Sequence, residues 1–174
     1  MDVPLPSTTR RELLRQLRLE FQLDWFGMHG VPHWGRVRLN GLLLARTTGA
    51  RPEVVEYFSL LHDSQRRNDN LDPAHGARAA AFANRINVSL LQLDAEGLDM
   101  LTHACRHHSD GLTESNVTVQ TCWDADRLDL GRVGYTPNPR KLCTSAGRDP
   151  SFIRVAYDRS LGIAASRRAR LTPG

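Results

Sequence analysis

Two adjacent residues with ligand-type side chains, His62-Asp63, close the apolar run Val54–Leu61. Upstream lies His33, in the stretch His33-Trp34-Gly35-Arg36-Val37, and downstream a further acid in Ala125-Asp126-Arg127-Leu128. Neutral imidazoles and carboxylates hold divalent ions. A mixed set of two histidines and two carboxylates suits Mn, Fe, Co, Ni or Zn, with Mg as a harder alternative. If His33, His62, Asp63 and Asp126 meet in space, they form a metal site with positions open to water and substrate, and the chemistry implied is hydrolysis. The other reading of the pair is a polar helix end, with Asp63 capping the following turn. Likewise Asp126 can instead pair with Arg127 or Arg132 at the surface.

Further residues extend the candidate set. His75 follows Asp72-Pro73, a helix-start pattern, so it is either a capping-turn histidine or part of the site. His103 and His107 share a helical face, but no glutamate completes an HExxH pattern. Arg66 and Arg67 follow the His-Asp pair in a polar loop, where they can orient a phosphate through bidentate hydrogen bonds or stay solvated beside Asp69 and Asp72. Arg36, one helical turn after His33, can bind phosphate or pair with an internal carboxylate.

The elements that must position these residues read as helices. Ser7 or Thr8 can cap a first helix running to about Asp24, with Leu13, Leu14, Leu17 and Phe21 on one face. A second starts near His33 and stops at Gly49. Pro52 opens a third, apolar nearly all round and therefore central, which delivers His62 and Asp63. Residues 64–73 read as a loop. A fourth helix has His75 in its first turn, a fifth runs from an Asp94 cap to His107-His108, and a sixth covers Val117 to Leu130 with Asp124 and Asp126. Residues 116–121 are the best rival for a strand. A short last helix spans Phe152–Leu161, after the proline-broken stretch Gly134–Pro139, which can wall the site near the last acid.

At 174 residues with 40% hydrophobic and 24% charged residues, the chain is large enough for one well-filled core. One domain is expected over residues 1–165, with a basic, disordered tail at 166–174. The sequence contains no bilayer-length apolar run and opens without a secretory pattern, and its three scattered cysteines fit reduced thiols, so a cytoplasmic setting is expected. Net charge is +4, carried almost entirely by arginine, with one lysine, Lys141. That balance suits anionic substrates, or nucleic acid through the first-helix arginines (Arg10, Arg11, Arg15, Arg18) and Arg167, Arg168 and Arg170. Glu12 and Glu20 interleave with the former, which favours a solvated face. Trp25-Phe26 and Trp34 either fill the core or stack on a base.

The ordered set His33 with Arg36-Val37, His62-Asp63, Asp72-Pro73-Ala74-His75-Gly76, His107-His108 and Ala125-Asp126-Arg127-Leu128-Asp129 resembles the HD-domain metal-dependent phosphohydrolase superfamily. The resemblance covers roughly His33 to Gly134. It implies an all-α, HD-domain-like helical bundle with a metal site between central helices. By the family pattern His33, His62, Asp63 and Asp126 are the ligands, Asp126 being preferred to Asp124 because it directly precedes Arg-Leu. His75, His107, His108 and Asp124 fall where a second metal or the site lining would lie. The activity implied is hydrolysis of a nucleotide or other small phosphoester, with Asp63, His75, Arg66 and Arg67 as catalytic residues and Arg36 as a phosphate contact. Ser64, directly after the His-Asp pair, departs from the longer acidic signature of several nucleotide-specific subfamilies, which leaves the substrate open. The alternatives are a di-iron oxygenase on the same scaffold and a non-enzymatic nucleic-acid-binding protein.

Overall fold

The computed structural model describes residues 5–162, and within them the chain forms seven α-helices and no strand. They are α1 (Ser7–Glu20), α2 (Val31–Thr48), α3 (Pro52–Leu61), α4 (His75–Ile86), α5 (Ala95–His107), α6 (Val117–Arg127) and α7 (Pro150–Ser160). The segment considered as a strand rival is the start of α6, capped by the Asn116 side chain on the Thr118 N–H. The tail at 166–174 lies outside the described residues. None of the described helices is long and apolar enough to cross a membrane.

Helix ends differ from the sequence-based bounds where backbone hydrogen bonding decides. The first helix stops at Glu20, because Phe21 is already extended; Phe21 and Trp25 instead pack edge-on against Trp34. Trp34 is fully buried, so the core reading holds for it, while Phe26 is exposed. The second helix begins at Val31, with Pro32 in its first turn where a missing N–H costs nothing. It ends at Gly49, whose φ of 75° is left-handed and returns its N–H to Ala45. The fourth helix widens into a π-turn over Asn87–Leu91. The sixth gives way at Arg127 to a 3-10 turn over Leu130–Val133.

The apolar helix α3 is the centre of the bundle. Every residue from Val54 to Leu61 is buried, and α2, α5 and α6 pack around it. Helices α4 and α5 form the tightest pair, with Gly76 against the carbonyl of Cys105; a Cβ at Gly76 would collide with that oxygen. A smaller apolar cluster of Leu44, Leu128, Leu142, Ile153 and Ala156 seats α7 against α2 and the chain after α6. All three cysteines are free and buried. His33, His62-Asp63, His75, His108 and Asp126 thus arise from five different helices or their ends.

Candidate metal centre

The C-terminal end of α3 is where these residues meet. His62 continues the α3 backbone, its N–H bonded to the Phe58 carbonyl, with its ring stacked on Phe58. The next turn is closed by Ser64, whose hydroxyl donates to the Leu61 carbonyl. This fixes Asp63 one step round the helix, facing inward at 2% exposure. From α2, His33 brings its Nε2 to 3.0 Å from His62 Nε2 and 3.6 Å from Asp63 Oδ2. From α6, Asp126 Oδ1 lies 3.4 Å from His33 Nε2 and 3.7 Å from His62 Nε2. Two nitrogen donors each about 2.1 Å from one ion at right angles are about 3.0 Å apart, so this spacing is that of a coordination shell.

A second group shares Asp63. Its other oxygen, Oδ1, lies 3.2 Å from His75 Nε2 and 3.6 Å from His108 Nε2, and those two nitrogens are 2.8 Å apart. Asp63 therefore presents one carboxylate oxygen to each group. Arg66 reaches this second group, with Nη1 3.3 Å from His75 Nε2 and 3.5 Å from Asp63 Oδ1.

Every imidazole is turned the same way. The Nδ1 of His62 faces the Phe58 carbonyl, that of His75 the Asp72 carbonyl and that of His108 the Cys105 carbonyl, while His33 Nδ1 meets Asp129 Oδ2 at 2.7 Å. A proton held on Nδ1 leaves each Nε2 lone pair free to point at the cluster, the tautomer a metal ligand requires. The electrostatics agree. Burial drives the His33 imidazole well below its ordinary pKa, helped by Arg132 and His62, and burial lowers His62 as well. Burial alone would raise Asp63, but His62, His108 and His75 outweigh it and hold its carboxyl well below the usual range. Burial is likewise outweighed at Asp126, by His62, His33 and Arg132. Neutral imidazoles at His33 and His62 beside ionised carboxylates are the donor chemistry a divalent cation fits; at His108 burial is outweighed by Asp63 and Asp126, which raise that imidazole above its ordinary value while no ion is bound.

Several sequence candidates lie elsewhere. Asp124 is fully buried but turned away: its carboxylate accepts from Cys143 N, Thr144 N and Thr144 Oγ1. It anchors the 143–144 backbone and does not line the cluster, because residues two apart on a helix are about 200° apart. His107 points outward, pairing with Asp110 at 2.7 Å and stacking near His103, whereas its neighbour His108 enters the cluster. Arg67 is exposed and offers its backbone N–H to Asp72, so its side chain is not held at the site. Arg36 makes a two-bond ion pair with Asp129, at 2.6 and 3.0 Å, which takes the internal-carboxylate option over phosphate.

Two residues were given no role at the site by the sequence reading. Asp129, fully buried, orients His33 and is itself held by Arg36. Its signal was available: it lies three residues beyond Asp126, on the same side of the chain as it leaves α6. Arg132 donates to the Met28 and Asp129 carbonyls and sits close enough to lower His33, His62 and Asp126 electrostatically.

A cavity of about 500 Å³ opens from the cluster at His108 and Asp126. Its other lining comes from Ser109 and Gly111 on one side, from Arg127 and Leu130, and from the segment 135–142 on the other side.

No family model matches the chain, and no curated protein matches it. Among solved structures it is similar to one described as a predicted HD superfamily hydrolase from an uncultured Thermotogales bacterium. The two share 23% identity over 93% of this chain and 92% of that one, with a TM-score of 0.66.

Proposed function

The chain has the HD-domain fold, and on that fold we propose a metal-dependent phosphohydrolase acting on a nucleotide or another small phosphoester. The observation that carries the reading is the shared carboxylate: Asp63 directs one oxygen to His33 and His62 and the other to His75 and His108. In this reading His33, His62, Asp63 and Asp126 hold one divalent ion, and Asp63, His75 and His108 offer a place for a second. Such an ion lowers the pKa of a water toward neutrality and polarises a phosphoryl oxygen. The chain's own groups do the rest. Asp63 orients the attacking water. Arg66 at the second group and Arg132 at the first supply fixed positive charge to the phosphoryl oxygens in the transition state. When one ion is bound, His75 as an imidazolium, with a proton on Nε2 as well as on Nδ1, protonates the leaving oxygen; with two ions its Nε2 is a ligand and cannot. The free, buried thiols suit a reducing, cytoplasmic compartment.

Chelator-stripped protein given Mn, Co, Ni or Mg and a phosphoester panel tests this. Activity should return with metal and fall about a hundredfold or more in His62→Ala/Asp63→Ala protein. Full activity in that double variant would sink the metal assignment. The paired groups also favour one alternative, a di-iron oxygenase. Stoichiometric iron, a visible absorption band and oxygen uptake in place of phosphate release would select it. Nucleic-acid binding draws less support, since Arg10 and Arg15 are engaged with Glu56 and Glu12 and Arg18 lies over the Trp25 ring.

A further inference from the structure

The cavity that opens from His108 and Asp126 is built before any substrate arrives. Its two walls are joined by Arg127, whose guanidinium donates to the Leu112 carbonyl at 2.7 Å and to the Lys141 carbonyl at 2.7 Å. Asp124 fixes the next residues by accepting from Cys143 N at 2.6 Å and Thr144 N at 2.9 Å. The far lip is set by Gly134, whose φ of 86° turns the chain so that Tyr135 N bonds back to the Leu130 carbonyl. Tyr135 is thereby left 67% exposed on the cavity lining. Leu130 and Leu142 give the cavity an apolar floor, and Lys141, the chain's only lysine, completes it. Among the described residues no carboxylate forms an ion pair with Lys141.

We propose that this cavity is the leaving-group subsite: Tyr135 stacks on a planar, aromatic leaving group and Lys141 takes an anionic group attached to it. The inference rests on the phosphohydrolase reading and deepens it. With the phosphoryl group at Asp126 and His108, the cavity gives the rest of the substrate a way to run along the Tyr135–Leu142 wall. The cavity, about 500 Å³, is the size that encloses a small organic molecule; a bare phosphate or a short polyol phosphate would leave most of it empty. An exposed ring over an apolar floor favours a flat π-face, and stacking of that kind is read by its loss on alanine substitution.

Three phosphonates, which share one head and cannot be hydrolysed, separate the two claims in calorimetric titrations of the metal-loaded protein. Phenylphosphonate should bind about tenfold more tightly than methylphosphonate. That ratio should collapse toward one in Tyr135→Ala and persist in Tyr135→Phe. 4-Carboxyphenylphosphonate should gain a further several-fold that Lys141→Gln loses. Because Lys141 is the only side-chain amine, its reductive methylation is a readout that needs no turnover, and the aryl ligands should slow it. A phenyl-to-methyl ratio near one, or a ratio unchanged in Tyr135→Ala, overturns the subsite and leaves the phosphohydrolase reading standing. Failure of methylphosphonate to bind metal-loaded protein overturns the phosphohydrolase reading instead. Lys141 protection by 4-carboxyphenylphosphonate then still decides the subsite, and no protection overturns it.

Discussion

Asp129 shows how a residue that touches no substrate can govern the centre. It is the partner of His33 Nδ1, and the two-bond grip of Arg36 holds its own carboxylate in place. Removing its charge frees the His33 ring to rotate or change tautomer. Asp129→Asn should therefore weaken metal binding by about 10- to 100-fold, measured by competition against a fluorescent chelator. His107, one residue from His108 but turned to Asp110, serves as the contrast: His107→Ala should leave metal affinity unchanged. Equal losses in the two variants would count against the assignment of the inner and outer histidines.

At the scale of elements, each helix end does a separate task. Along α6, Asp124 anchors the following chain, Asp126 faces the cluster and Arg127 joins the cavity walls. The α4–α5 pair positions His75 and His108, and it depends on Gly76 lying against the Cys105 carbonyl. Gly76→Ala should cost about 1–3 kcal/mol, the usual penalty of overpacking, read by urea denaturation in chelator, and should weaken metal binding as well. The loop that carries Arg66 is held by Asp72, which pairs with Arg78 at 2.5 Å and accepts the Arg67 N–H. The Arg78 hydrogen bond holds the Asp72 carboxyl down at about 2. A depressed carboxyl stabilises the fold fully above its unfolded value, near 4, and that contribution disappears as pH falls toward 2. In chelator, Asp72→Asn should accordingly lose stability near neutrality and show a shallower fall in stability between about pH 4 and pH 2. An acid-unfolding curve of unchanged slope would contradict it.

For the molecule as a whole, the bundle is tied to its own N-terminal segment by one buried charge. Glu56, on α3, is fully buried and accepts from Arg10, Arg38 and the Leu5 N–H. Replacing it leaves two arginines without their partner at the edge of the core. Glu56→Ala should destabilise the fold by about 3 kcal/mol, measured as a shift in the urea midpoint, with little change in metal affinity, since Glu56 takes no part in the cluster. His62 and Asp63 follow at the C-terminal end of α3, about two turns along from Glu56, so the one central helix both anchors the N-terminal segment and positions the cluster.

The sequence by itself determined the helical character of the chain, the central place of α3 and the donor types gathered around its end. Those follow from local causes: apolar periodicity, prolines and glycines at helix boundaries, and side chains whose chemistry does not depend on their neighbours. Even the doublets were visible as doublets, Asp124 with Asp126 and His107 with His108. Which member of each faces the cluster was decided by tertiary structure, because helical residues one and two apart diverge by about 100° and 200° and only the packing of α5 and α6 on α3 sets their rotation. The same holds for Asp129, Arg36 and Arg132. Whether an arginine meets phosphate or a carboxylate depends on what lies across from it, 93 residues away for Arg36 and Asp129, and no local pattern encodes that pairing.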